Sequence, residues 1–126
     1  MYQRVIIIDD SPFERYLAER MISVAHFAGE VTCFSTALDA LTYLESLEED
    51  QLPEVIFVDL QMTVMTGFDF LDKYLQFPET VRKRSKVVML SSTLVDEDFR
   101  RMQRYPVISK FLAKPLKEEL FRNLVV

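Results

Sequence analysis

Five polar positions close apolar runs in this chain, and their types converge on one chemistry. Asp9 and Asp10 follow Val5-Ile6-Ile7-Ile8, Asp59 follows Val55-Ile56-Phe57-Val58, Ser91 follows Val87-Val88-Met89-Leu90, and Lys114 follows the run from Val107 to Ala113. Three carboxylates brought together repel one another unless a cation sits among them. A hard divalent ion such as Mg2+ suits them, because it accepts one or two carboxylates and completes its octahedron with waters and phosphate oxygens. With Asp9 and Asp10 as the main ligands and the backbone carbonyl of Gln61 as the loop's contribution, Asp59 keeps an oxygen free to attack phosphorus and form an aspartyl phosphate. Ser91 then offers a hydroxyl donor and Lys114 a compact positive charge to the phosphoryl oxygens as charge redistributes. No histidine base is required. A single aspartate at a strand end more often caps a helix or starts a turn; the repetition of the pattern argues for more here.

The elements that must bring these residues together are legible in the spacing. The apolar runs are continuous rather than alternating, as in strands of a parallel sheet buried on both faces. Helical stretches lie between them. Ser11-Pro12-Phe13-Glu14 supplies an N-cap, a first-turn proline and a capping-box glutamate, and Phe13, Leu17, Met21 and Val24 share one face of a helix expected to end near Ala28-Gly29. Glu30 to Phe34 reads as a second strand, and Ser35 or Thr36 caps a helix turning Leu38, Leu41, Leu44 and Leu47 to the core. A helix from about Gly67 carries Phe68, Leu71, Tyr74 and Leu75. After Ser91-Ser92-Thr93 comes a polar helix with Asp96 and Arg100, and Glu97 and Arg101, at ion-pair spacing and a thin stripe of Val95, Phe99 and Met102. It is expected to be the least firmly docked. Lys117 to Leu124 forms the last helix. Five strands alternating with five helices imply an α/β fold, a doubly wound parallel sheet whose strand C-termini share one edge, where ligands bind.

Composition narrows the function. The 126 residues are 49% hydrophobic, enough for one domain spanning 1–126 with its own core. A net charge of -5 argues against direct nucleic-acid binding by the bulk surface. The local cluster of Arg82, Lys83, Arg84 and Lys86 reads as a solvated loop face before it reads as a docking site for an acidic partner. Cys33 is the only cysteine, which excludes an intramolecular disulfide and suits a small strand residue better than a nucleophile. No apolar run approaches membrane-spanning length and no signal peptide opens the chain, so a cytoplasmic protein without membrane contact is expected.

With these residues in order, the chain resembles the receiver domains of two-component response regulators, of the stand-alone chemotaxis-regulator kind, over nearly its whole length. The match is carried by Asp9-Asp10, by Asp59 with Met62 and Gly67 behind it, by Ser91 and by Lys114-Pro115. The resemblance implies a flavodoxin-like fold with strand order 2-1-3-4-5 and a cis Lys114-Pro115 bond. It implies Mg2+-dependent phosphorylation of Asp59 by a sensor histidine kinase or phosphotransfer protein. It also implies a switch in which Ser91 moves towards the phosphoryl group and the aromatic residue on the fifth strand, here Phe111, turns inward behind it. The alternative for Phe111 is a permanently buried core side chain. The surface of the fourth helix, fifth strand and fifth helix is then the output face, towards a downstream protein or a phosphorylation-dependent homodimer, since no effector domain follows within the chain. Thr63 stands where the family carries a proline, which predicts a looser loop around Gln61, and Thr66 stands where an acidic residue is common.

Other chemistries fit the residues less well. A Mg2+-dependent phosphohydrolase of the haloacid dehalogenase type also uses a strand-end aspartate, but it usually has a second aspartate two residues on, where this chain has Gln61, and a cap module. A pseudo-receiver that only binds fits poorly with an intact acidic set. His26, the only histidine, is a poor phosphoryl carrier, since histidine phosphotransfer modules are helical bundles and His26 lies near a helix end away from the acidic rim. An aromatic flavin box is equally disfavoured, because the aromatic residues fall mostly at core spacing.

Overall fold

The computed structural model describes residues 1–93 and 95–126. The elements run β1 (Tyr2–Ile8), α1 (Pro12–Val24), β2 (Ala28–Phe34), α2 (Ala37–Ser46), β3 (Val55–Asp59), α3 (Gly67–Tyr74), α4 (Glu79–Arg82), β4 (Lys86–Ser91), α5 (Asp96–Met102), β5 (Ile108–Ala113) and α6 (Glu118–Arg122). All five strands are parallel and their order is β2-β1-β3-β4-β5. The sequence reading of a doubly wound sheet in order 2-1-3-4-5 holds. Its helix number does not, because α4 is a sixth helix, one turn long, opened by Pro78 after the chain leaves α3. The helix and strand of the expected output face are therefore α5, β5 and α6.

The strands read as unbroken apolar runs because each face of the sheet takes alternate residues. Ile6, Ile8, Ile56, Val58, Val87 and Met89 lie in the core shared with α2 and α3, whereas Val5, Ile7, Val55, Phe57, Val88 and Leu90 lie in the core beneath α1 and α6. β3 is buried at every residue. Each fully buried side chain of this size contributes about 1.5–3 kcal/mol relative to exposure, so the central strands fix the sheet and thereby its C-terminal edge.

The helix faces correct the sequence reading in detail. α1 buries Ala18 and Ile22, while Phe13 is 67% exposed and Val24 is 42% exposed. Ala18 and Ile22 form the inward face, which leaves the large aromatic residue on the outward one. α2 buries Ala37, Ala40, Leu41 and Leu44 and leaves Leu38 exposed for the same reason. α5 buries only Met102, as a thinly striped helix should, but neither expected ion pair forms among the described residues. Arg101 instead places its guanidinium 4.3 Å over the Phe68 ring. The basic cluster is largely spent locally: Lys83 meets Glu79, Arg84 meets Glu49, and Arg82 donates to the Phe77 carbonyl.

α1 ends earlier than Gly29. The His26 N–H donates to the Ser23 carbonyl and the Phe27 N–H to the Ile22 carbonyl, the paired bonds of a Schellman stop, with His26 itself at φ 55°. That left-handed backbone is a position glycine occupies without steric cost. His26 is exposed and gives nothing to the core in return. His26→Gly is expected to stabilise the fold by about 0.5–1 kcal/mol, measured as an upward shift of the urea midpoint at unchanged slope. A lowered midpoint would show that the imidazole makes a contact that outweighs the backbone strain.

Candidate functional site

Strand register assembles the site. Ile8 pairs with Val58, Asp59 with Leu90 and Ser91 with Ala113, so the four neighbouring strands end nearly level. Backbone bonds carry the ladder one step further: Asp9 N–H to the Phe34 carbonyl at 3.1 Å, Leu60 N–H to Leu90 at 2.8 Å, and Lys114 N–H to Ser91 at 2.9 Å. Asp9, Asp59, Ser91 and Lys114 are thus fixed by the sheet rather than by loops. Gly67 lets the β3–α3 loop return onto the sheet, because a Cβ there would lie 2.8 Å from the Asp59 carbonyl oxygen and 2.9 Å from the Leu60 Cα. The Lys114–Pro115 peptide is cis, as the resemblance implied.

The expected acidic set does come together. One carboxylate oxygen from each of Asp9, Asp10 and Asp59 lies within 4.8 Å of the others. Asp9 and Asp59 are buried, at 1% and 4% exposure, and Asp10 is half-buried. Lys114 places its ammonium 2.6 Å from Asp9 Oδ2 and 3.4 Å from Asp59 Oδ2. One ammonium among three carboxylates leaves a surplus of negative charge. Burial, and then the neighbouring Asp9, push the Asp59 carboxyl up to about 6, against the pull of Lys114 and of the Gln61 N–H that donates to Asp59 Oδ1 at 3.3 Å. Burial disfavours the Lys114 ammonium, but its bond to Asp9 and the charges of Asp59, Asp9 and Glu14 outweigh that and raise its pKa.

Several participants were not visible in the sequence. Arg15 reaches back from α1 to donate to the Asp9 backbone carbonyl at 2.8 Å, while the Asp9 carboxylate accepts from the Ser11 N–H on Oδ1 at 3.0 Å and from Lys114 on Oδ2, so both the main chain and the side chain of Asp9 are held. The Gln61 side chain spans two loops: its Oε1 accepts from the Ser91 hydroxyl at 2.8 Å and its Nε2 donates to the Thr93 carbonyl at 2.8 Å. Only the Gln61 backbone carbonyl figured in the sequence reading. The Ser91 hydroxyl also lies 2.6 Å from the Thr93 carbonyl and has one proton to share between the two acceptors. Thr63, where the missing proline led to the expectation of a looser loop, ties the loop to Asp10. Its N–H and hydroxyl donate to Asp10 Oδ2 at 3.1 and 3.3 Å, and a proline has neither donor. Thr66, in place of an acidic residue, caps α3 through a reciprocal bond with Asp69.

Two further residues singled out in the sequence lie away from the acidic set. Phe111, on β5 beside Met89, is half-buried rather than sealed in the core. Cys33 is half-buried on the edge strand β2, and burial and Glu19 push its thiol up to about 11, which disfavours the thiolate a nucleophile needs.

Comparison with known proteins decides the family. The model of the response regulator receiver domain matches residues 5–126. The chain belongs to the response regulator receiver domain family. It is 32% identical over 115 residues to protein-glutamate methylesterase/protein-glutamine glutaminase 3 of Burkholderia thailandensis, and 25% identical over 122 residues to the 3',5'-cyclic-nucleotide phosphodiesterase regA of Dictyostelium discoideum. The alignments cover 89% and 97% of this chain but only 29% and 15% of those proteins, so the receiver corresponds to a small part of each relative. Among solved structures, a response regulator receiver protein from Dyadobacter fermentans matches with a TM-score of 0.86 at 35% identity, over 95% of this chain and 92% of the other. A two component response regulator from Cytophaga hutchinsonii shares the fold with a TM-score of 0.87 at 24% identity, over 97% and 92%. Among the described residues of this receiver, no helix is long and apolar enough to cross a membrane.

The receiver's donor set fits a hard divalent cation. The set offers only carboxylate oxygens under a single counter-charge, hard donors that suit Mg2+ and not a soft metal, and one or two of the three suffice as direct ligands. Without metal, Asp59 has a consequence for stability. The folded state holds its proton from about pH 6 downward, whereas an ordinary aspartate releases it near 3.8. Between those values the folded receiver binds more protons than the unfolded chain, so stability falls as pH rises through the window. Asp59→Asn in chelator-treated protein is expected to raise stability by on the order of 1 kcal/mol at neutral pH, with the gain fading towards about pH 4. Urea unfolding across pH checks this; a gain independent of pH would contradict the charge account.

Proposed function

We propose that this receiver, one domain spanning residues 1–126, accepts a phosphoryl group on Asp59 from the phosphohistidine of a sensor histidine kinase or phosphotransfer protein, in a Mg2+-dependent step. The observation that carries the reading is the buried strand-end carboxylate of Asp59 beside the Lys114 ammonium and two further carboxylates. An Asp59 oxygen forms the new bond to phosphorus while the phosphorus–nitrogen bond breaks and its electron pair leaves on the imidazole nitrogen. Asp9, Asp10, Asp59 and the Gln61 carbonyl would hold Mg2+, which supplies charge neutralisation between the carboxylates and the phosphoryl oxygens. Lys114 is released from Asp59 by this reaction and is near enough to follow the charge onto a phosphoryl oxygen.

Ser91 and Phe111 are the proposed switch. Ser91 must give up its bond to Gln61 or to Thr93 to reach the phosphoryl group, and loss of the Gln61 bond would leave the Gln61 Nε2 to Thr93 carbonyl contact as the remaining side-chain tie between the β3–α3 and β4–α5 loops. Phe111 borders a pocket of about 260 Å³ with Phe99, Met102 and Tyr105, so an inward turn would reshape the face of α5, β5 and α6. Phe99 and Val95 are 51% and 52% exposed on that side, apolar surface for a downstream protein or a second phosphorylated copy. The cytoplasm, where kinase and Mg2+ are available together, is the proposed location.

Labelling with acetyl phosphate, read by intact mass, tests the assignment. One phosphoryl group per chain is expected with Mg2+, little without it, and none in Asp59→Asn. Equal labelling of Asp59→Asn, or labelling indifferent to Mg2+, would refute it.

A further inference from the structure

Two features of the β3–α3 loop play no part in phosphoryl transfer as described, and they concern adjacent residues. Thr63 directs both of its donors, N–H at 3.1 Å and hydroxyl at 3.3 Å, onto one oxygen of Asp10. Immediately afterwards the chain reverses in a three-residue turn, in which the Met65 N–H donates to the Thr63 carbonyl at 2.7 Å around Val64 at φ 67°. A turn closed this tightly through a positive-φ residue is uncommon and strained, and a β-branched side chain is the least suited to its centre. Val64 is fully exposed, so no packing of its side chain offsets that cost. Strain of this kind persists where surrounding bonds over-determine it, and it concentrates at ligand clamps and switches. Here the bonds that hold it are those from Thr63 to Asp10.

We propose that the Thr63–Val64 turn is a latch that competes with the divalent cation for Asp10, making Thr63 an affinity-determining residue of the metal site. In the metal-free receiver, two hydrogen-bond donors partly neutralise Asp10 Oδ2, as a cation would. To serve as a ligand, Asp10 gives up donors from Thr63, the turn opens, and Val64 relaxes to ordinary backbone. Metal occupancy is thereby coupled to the loop that carries Gln61, and through the Gln61 side chain to Ser91 and Thr93. A proline at position 63 removes both donors and with them the competition. The proposal rests on the receiver reading, because it takes Asp10 to be a ligand.

Calorimetric titration with Mg2+ alone tests it, using the whole chain and three variants of exposed loop residues whose folding is checked by circular dichroism. Thr63→Val removes one donor and is expected to bind Mg2+ about threefold more tightly, and Thr63→Pro, which removes both, about tenfold more tightly. Val64→Gly keeps both donors and relieves the turn, so it favours the latched state and is expected to bind about threefold more weakly. In the wild-type chain, added Mg2+ should also speed hydrogen exchange of the Met65 amide. Unchanged or weaker binding in both Thr63 variants would overturn the latch, showing that Thr63 is a bystander or orients Asp10 for the metal. Absence of saturable wild-type binding that is lost in Asp10→Asn would instead remove the receiver reading beneath it.

Discussion

An imbalance of charge underlies the rest of this molecule: three carboxylates from two strand ends share one ammonium. Asp9 takes the closer contact with Lys114, at 2.6 Å, and Asp59 the longer, at 3.4 Å. Asp59 is therefore buried, under-neutralised and held next to a like charge, which is why its carboxyl clings to its proton up to about 6. In the proposed function the same imbalance is what the rim uses: a site short of positive charge would attract a hard cation, and a cation there would let one carboxylate meet a phosphoryl group without repulsion.

The fold exists, in this sense, to maintain that imbalance. Level strand ends are a property of a parallel sheet, and the two cores either side of it leave the central strands no freedom to slip, because a one-residue shift would exchange one buried face for the other. Gly67 then seats the β3–α3 loop close to Asp59, while Arg15 and the Ser11 N–H clamp Asp9. What the sheet does not fix is the ring of loop contacts above it. Gln61 tied to Thr93 and Thr63 tied to Asp10 are exposed hydrogen bonds that can exchange for others at small cost, and the half-buried bond of Gln61 to Ser91 lies between them and the sheet. A rigid floor carrying the charges and an exchangeable upper layer is a suitable construction for a switch.

The sequence was informative wherever one strong signal dominated. Continuous β-branched runs ending on polar residues gave the strands, their common edge and the convergence of Asp9, Asp10, Asp59, Ser91 and Lys114, because burial on both faces leaves no other pattern. The helix faces were misread at Phe13, Val24 and Leu38, since large apolar residues suggest burial while part of the buried face is taken by the small residues Ala18, Ala37 and Ala40. The stop of α1 was expected near Ala28-Gly29 because glycine is the usual left-handed residue, yet His26 takes that conformation. The one-turn helix α4 is too short to have a period. The side-chain roles of Gln61, Thr63 and Arg15 escaped notice for a different reason: they depend on which side chain crosses between loops, and nothing in local spacing encodes that.

The most direct test of the charge imbalance is a carbonyl 13C titration of Asp59, followed by NMR in metal-free protein and again with saturating Mg2+. A midpoint at about 6 is predicted without metal, with a fall below the ordinary aspartate range when Mg2+ is present. A midpoint near 3.8 that does not respond to Mg2+ would show that these carboxylates neither repel one another nor share a cation, and would contradict it.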